Sequence, residues 1–110
     1  MKVKVSPFFQ KNVKTLQKKH NSINKDVIEL INELKKDPFI GTNLGNNRYK
    51  IRVKNSDSNK GKSGGYRVIT YIKVDDFILL VTIYSKSTQE SIPNNEIDLI
   101  IKNYKNDLEK

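Results

Sequence analysis

Apolar residues recur in two periods along this chain, and each change of period marks an element. Lys2-Val3-Lys4-Val5 alternates polar with apolar, which predicts a short strand. Ser6-Pro7 then reads as an N-cap followed by proline at the first helical position. Phe9, Val13 and Leu16 repeat at helical spacing toward Lys18-Lys19, where the helix dipole favours cations. A polar linker at His20-Asn21-Ser22 separates this helix from a second apolar stripe, Val27, Leu30, Ile31 and Leu34. That stripe has Lys35-Lys36 in its last turn and Asp37-Pro38 as its stop, so the two helices form a hairpin.

Residues 38–47, PFIGTNLGNN, carry turn chemistry and read as a loop. The period then changes to two. In RYKIRVK, Tyr49, Ile51 and Val53 face one side and Arg48, Lys50, Arg52 and Lys54 face the other. A polar loop covers residues 55–64, and two β-rich runs, 65–74 and 77–85, flank Asp75-Asp76, which reads as a hairpin turn. Pro93-Asn94 opens a last helix that keeps Ile97, Ile100, Ile101, Tyr104 and Leu108 in phase. The order β-α-α-β-β-β-α predicts one α+β domain over residues 1–110. Its antiparallel sheet carries the N-terminal helix hairpin on one face, because those stripes need an apolar partner. The C-terminal helix follows the last strand, the first strand joins the same sheet, and the other face is expected to stay at least partly open.

Charge sharpens this picture. The chain of 110 residues has a formal net charge of +9, unevenly spread. Residues 1–46 hold nine Lys/Arg against four Asp/Glu, residues 47–73 hold eight against one, and residues 74–110 hold four against seven. The middle segment thus looks built to meet a polyanion. Alternate residues on a strand lie about 7 Å apart, so four cations on one side of one strand repel each other. Edge protection needs one or two lysines, not four in register. The loop SNKGKSGGYR adds Lys60 and Lys62 near the same face, with Gly61, Gly64 and Gly65 allowing close backbone approach to a ligand.

Several chemistries are excluded. With no cysteine there is no disulfide framework or thiolate metal site, which suits a reducing compartment. With one histidine and scattered acids no metal cluster is expected, and His20 itself reads as a solvated cation at a helix end. No Walker or GxGxxG loop precedes a helix, so no nucleotide cofactor is expected. The longest apolar run, FILLV, is too short to span a bilayer, and MKVKVSPFF has no signal-peptide core, so a cytoplasmic protein without membrane contact is expected. RNA cleavage suits the remaining inventory, since the ribose 2′-OH can attack its own phosphate without metal. Arginine would stabilise the phosphate charge, a lysine crowded by cations would serve as base, and Tyr84 or Tyr71 would stack a base or assist proton transfer.

The segments YKIRV (49–53), GKSGGYRVITY (61–71) and ILLVTIYSKS (78–87), on a chain of this size and order, resemble the RelE/ParE superfamily of toxin–antitoxin toxins, in its RelE/HigB-like branch. The resemblance covers nearly the whole chain. It implies a ribosome-dependent mRNA endonuclease, needing no cofactor, that inhibits translation and is held inactive by a cognate antitoxin. It implies catalytic cations at Lys50, Arg52 and Arg67, and a further basic residue at Lys86. The chain departs from RelE itself at Ser87 and Pro93, where a basic residue and a tyrosine are expected, so acid–base work falls to Lys86, Lys54 or Tyr84. Arg67 is the expected transition-state donor. Arg48, Lys50, Lys60, Lys62 and Tyr71 are expected to bind RNA, alongside Arg52 and Lys54, which orient the mRNA backbone. The ParE branch shares the fold but poisons DNA gyrase, and a non-catalytic binding module is a third reading. The partner is expected to be an acidic antitoxin that covers the cation face or displaces the last helix.

Overall fold

The computed structural model describes residues 1–58 and 64–108. The elements run β1 (Lys2–Val5), α1 (Pro7–Gln17), α2 (Ile23–Lys36), β2 (Thr42–Gly45), β3 (Arg48–Val53), β4 (Tyr66–Lys73), β5 (Phe77–Ser85) and α3 (Asn94–Leu108). One five-stranded sheet has the order β1-β5-β4-β3-β2. The meander β2 to β5 is antiparallel, and β1 joins β5 in parallel, with Val5 opposite Leu80. That parallel pairing requires a crossover, and the α1–α2 hairpin supplies it.

The α+β expectation holds with one strand added. Residues 42–45, within the expected loop, form β2, paired with β3 through a tight turn at Asn46-Asn47. Both asparagines have positive φ, 52° and 65°, the combination that lets a two-residue turn follow the twist of its strands. All four strand residues are exposed, so no alternation announced the strand.

The hairpin buries its stripes as expected. Phe9, Ile23, Leu30 and Leu34 pack on Ile51, Val53, Val68, Ile72, Ile78, Leu80 and Ile83. A second apolar layer lies on the opposite face, where Ile97 and Ile101 of α3 cover Ile69, Phe77, Leu79 and Val81. Strand β5 is therefore buried on both faces along its full length, which explains its unbroken FILLV run. It also narrows the face that the sequence left open.

Ser6 joins these layers. Its Oγ accepts from Phe9 N–H at 2.9 Å as the cap of α1, and donates to the Val81 carbonyl at 2.8 Å. Ser6 is buried, so Ser6→Ala strips a cap and orphans a carbonyl at once. We expect a loss of about 1–3 kcal/mol, read by urea denaturation; an unchanged midpoint would contradict this role.

The start of the loop after β3 is pinned to the helical hairpin. Asp57 accepts from Ser22 N–H and Oγ–H at 2.8 Å each, Ser56 N–H donates to Asp26, and Asn55 Nδ2 donates to His20 Nδ1 at 3.0 Å. His20 is thus half-buried in a clamp, edge-on to Tyr66, rather than solvated at a helix end. Tyr66 is fully buried, and its hydroxyl has no hydrogen-bond partner among the described residues. Burial, with the Asp26 and Asp57 carboxylates nearby, pushes its pKa from 10.0 up to about 12. A folded pKa above the unfolded one means stability that is full below about pH 10 and is lost as pH rises toward 12. Compared with Tyr66→Phe, the wild type should lose stability over that window in urea melts; parallel curves would refute the link.

Candidate functional site

Register brings the expected cations into rows. Arg52 pairs with Arg67 across β3 and β4, and Arg67 pairs with Tyr84 across β4 and β5. Arg52, Arg67 and Tyr84 therefore form one row across three strands, spanning about 10 Å at two strand spacings. One step outward, Lys86 N–H donates to the Gly65 carbonyl at 3.0 Å, which continues the ladder beyond β5. Gly65 lies against the Val53–Asn55 backbone on its other side. Lys54, Gly65 and Lys86 thus make a second row, with glycine leaving room between two lysines.

Tyr84 reaches this face because of a bulge. The β4–β5 register shifts between Ile69, opposite Thr82, and Thr70, opposite Leu80, so Val81 is the extra residue. Before the bulge, even-numbered Ile78 and Leu80 face the helical hairpin; after it, odd-numbered Ile83 does. The phase of β5 is inverted, and Tyr84 joins the face of Phe77 and Leu79. Re-aiming a side chain beside a site is a common use of a bulge. Here the extra residue's carbonyl is held by Ser6, and Thr82 Oγ1 accepts from Asn12 Nδ2 at 2.9 Å.

The rows differ in exposure. Arg52, Lys54 and Lys86 are exposed, and no ion pair among the described residues involves them. Arg67 is 4% exposed and Tyr84 5%. The Arg67 guanidinium donates through Nη1 to the Tyr66 carbonyl at 3.1 Å. The Tyr84 hydroxyl has no hydrogen-bond partner among the described residues. Burial raises its pKa, partly opposed by the nearby Arg67 guanidinium, so the phenol stays protonated at neutral pH and presents a donor.

The other expected residues lie elsewhere. Arg48 forms an ion pair with Asp98 of α3, so an acid does answer this cation. Tyr71, in the same row as Arg48, packs beneath α3, with Lys105 Nζ 5.0 Å above its ring. Neither is brought to the Arg52 row. Lys50 is half-buried, beside Ile40 and Thr42 in a shallow depression at the β2 edge. Arg52 and Lys54 border a concavity whose other wall carries Asp26, Glu29 and Glu33 of α2. Lys60 and Lys62 lie outside the described residues. Sequence reasoning missed the bulge, the spacer role of Gly65 and the Asp98 counter-charge. Only Gly65 left a local signal, as a glycine directly before a strand.

The site is therefore a strip of cations at one end of a sheet, with exposed Arg52, Lys54 and Lys86 around a buried fork and phenol. Such a strip can seat a phosphodiester backbone, offer a planar five-donor group to a phosphate, and supply a proton from oxygen. Among the described residues no three His, Asp or Glu side chains are grouped to hold a metal ion, and no helix is long and apolar enough to cross a membrane. Compared with known protein families, residues 3–109 match the model of the RelE toxin of the RelE/RelB toxin–antitoxin system. No curated protein matches the chain.

Proposed function

Given that the chain belongs to the RelE toxin family, the toxins of RelE/RelB toxin–antitoxin systems, we propose that it is a ribosome-dependent mRNA endonuclease acting through the Arg52–Arg67–Tyr84 row. The observation that carries this reading is the register that places two arginines and a protonated phenol side by side, flanked by Lys54 and Lys86.

The reaction needs three things from the protein. The 2′-oxygen attacks phosphorus, the bond to the 5′-oxygen breaks, and the products are a 2′,3′-cyclic phosphate and a 5′-hydroxyl. Arg52 and Lys54 hold the backbone so that the attacking and leaving oxygens lie in line. Arg67 donates its fork to the phosphoryl oxygens as charge builds in the transition state. Tyr84 donates a proton to the leaving 5′-oxygen, the 2′-OH proton passes to water, and exposed Lys86 stands beside the row where negative charge develops.

Arg67 and Tyr84 are buried in the isolated chain, so RNA must displace what lies over the row before chemistry begins. This cost favours cleavage where other contacts already hold the message, as in a ribosomal A site. The same exposed cations, Arg52, Lys54 and Lys86, would attract an acidic antitoxin segment, which would block the row by occupying it.

Induced expression in bacteria tests this reading. Pulse labelling should show rapid loss of protein synthesis, with primer extension finding cuts inside codons and only in translated regions. Loss of DNA synthesis with intact messages would place the chain with gyrase poisons instead.

A further inference from the structure

Strand β1 ends as the neighbour of β5 at Val5, opposite Leu80. Beyond that point three consecutive residues of β5 are held from the start of α1. Ser6 N–H donates to the Leu80 carbonyl at 3.1 Å, and Ser6 Oγ–H donates to the Val81 carbonyl at 2.8 Å. Asn12 Nδ2 then donates to Thr82 Oγ1 at 2.9 Å. These three residues are the bulged Val81 and its two neighbours. A bulge ordinarily leaves its extra residue unpaired and its ladder disrupted. This one is anchored from outside the sheet.

Folding accounts for the Ser6 bonds but not for the one between Asn12 and Thr82. Ser6 caps α1, whereas Asn12 lies more than a turn further on and caps nothing. Thr82 is 2% exposed and interrupts an apolar run, FILLV before it and Ile83 after it. Two apolar side chains of the same shape would be nearly neutral or stabilising there. What a directional bond adds is geometry: it fixes the face that Thr82, and two residues on Tyr84, presents. The Tyr84 ring lacks other polar anchors, since its hydroxyl has no hydrogen-bond partner among the described residues. It also borders a cavity of about 230 Å³, lined by Asn12 and Thr82 as well, which leaves the ring room to swing. We propose that Asn12 and Thr82 are a positioning pair for the cleavage reaction: they hold β5 in the phase that aims the Tyr84 hydroxyl at the Arg67 row. The proposal rests on the RNA-cleaving reading above, and neither residue of the pair touches the reacting atoms.

Thr82→Val removes the acceptor at nearly constant volume, and Thr82→Ser restores it. On ribosomes programmed with message, Thr82→Val should lower kcat by about tenfold or more and leave KM within about twofold, because misplacing a reacting group by about 1 Å can cost 10²-fold. Thr82→Ser should recover most of that loss. Asn12→Leu, at a half-buried position that the fold should tolerate, should match Thr82→Val. In a Tyr84→Phe background neither change should cost anything further. Equal losses in both backgrounds, or losses that merely follow the melting temperature, would mean a structural role and overturn the proposal. A second readout stands apart from activity. With tyrosine labelled with ¹³C at Cζ, the signal absent from Tyr84→Phe belongs to Tyr84. It should move in Asn12→Leu and Thr82→Val and return in Thr82→Ser. An unmoved signal would overturn the pair even if Tyr84→Phe cuts poorly. Full-rate cutting by a folded Tyr84→Phe would instead remove Tyr84 from the chemistry, and with it the pair's part in the reaction.

Discussion

Arg67→Ala should slow mRNA cleavage by about 10²–10³-fold, the usual loss when one preorganised transition-state donor is removed. Arg67 is the central residue of the row, with Arg52 on one side and Tyr84 on the other. The residue is only 4% exposed, so a phosphate that reached it would do so in surroundings where a charged hydrogen bond is worth more than in water. Because the side chain is buried, the alanine variant also leaves a gap and the Tyr66 carbonyl loses a donor. A thermal melt therefore accompanies the assay. Arg67→Lys keeps the charge and most of the volume but loses the planar fork, and should still lose at least about tenfold. Full activity in a folded lysine variant would show that charge alone suffices at this position, and full activity in a folded alanine variant would remove Arg67 from the chemistry.

Gly65→Ala should be the most destabilising single substitution near the site. A Cβ at Gly65 would stand 2.1 Å from the Val53 carbonyl oxygen and 2.9 Å from the Asn55 nitrogen. Both are backbone atoms, so no rotamer change relieves the clash, and β3 and β4 must separate. Overpacking of this kind costs about 1–3 kcal/mol and occasionally more. For a domain of this size the melting temperature should fall by about 4–15 °C. The separation acts between Lys54 and Lys86 and one step from the Arg52–Arg67 pair, so cleavage should fall with stability even below the melting transition. A melting temperature within two or three degrees of wild type, as a roughly half-kcal/mol change would give, would mean that the strands are not held at this distance.

Much of this arrangement was legible in the chain. Ser6-Pro7 marked the start of α1, the stripe Val27, Leu30, Ile31 and Leu34 marked α2, and the alternation from Arg48 to Lys54 sorted β3 correctly into an apolar and a cationic side. What escaped depends on contacts between distant residues. The strand Thr42–Gly45 buries nothing, so only its turn dihedrals betray it. The Arg48–Asp98 pair joins positions 50 apart, and no local pattern records it. The apolar side of α3 needed a surface, and the only one left was the β4–β5 part of the cationic face, which places Tyr71 under a helix. Strict alternation along β5 would send Tyr84 to the hairpin side; one extra residue at Val81 sends it to the arginines. A bulge of this kind is specified by Ser6, Asn12 and the β4 register together, not by β5 alone.

The central claim is that the row uses the RNA's own 2′-OH, and a single substitution in the substrate tests it most directly. Messages programmed into ribosomes would carry either ribose or 2′-deoxyribose at the nucleotide 5′ to the scissile phosphate, and the products would be identified by mass. With ribose, the account predicts a cut leaving a 2′,3′-cyclic phosphate and a 5′-hydroxyl; with deoxyribose, it predicts no cut at that position. Cleavage that survives loss of the 2′-OH, or a ribose message left intact by the folded protein, would contradict it.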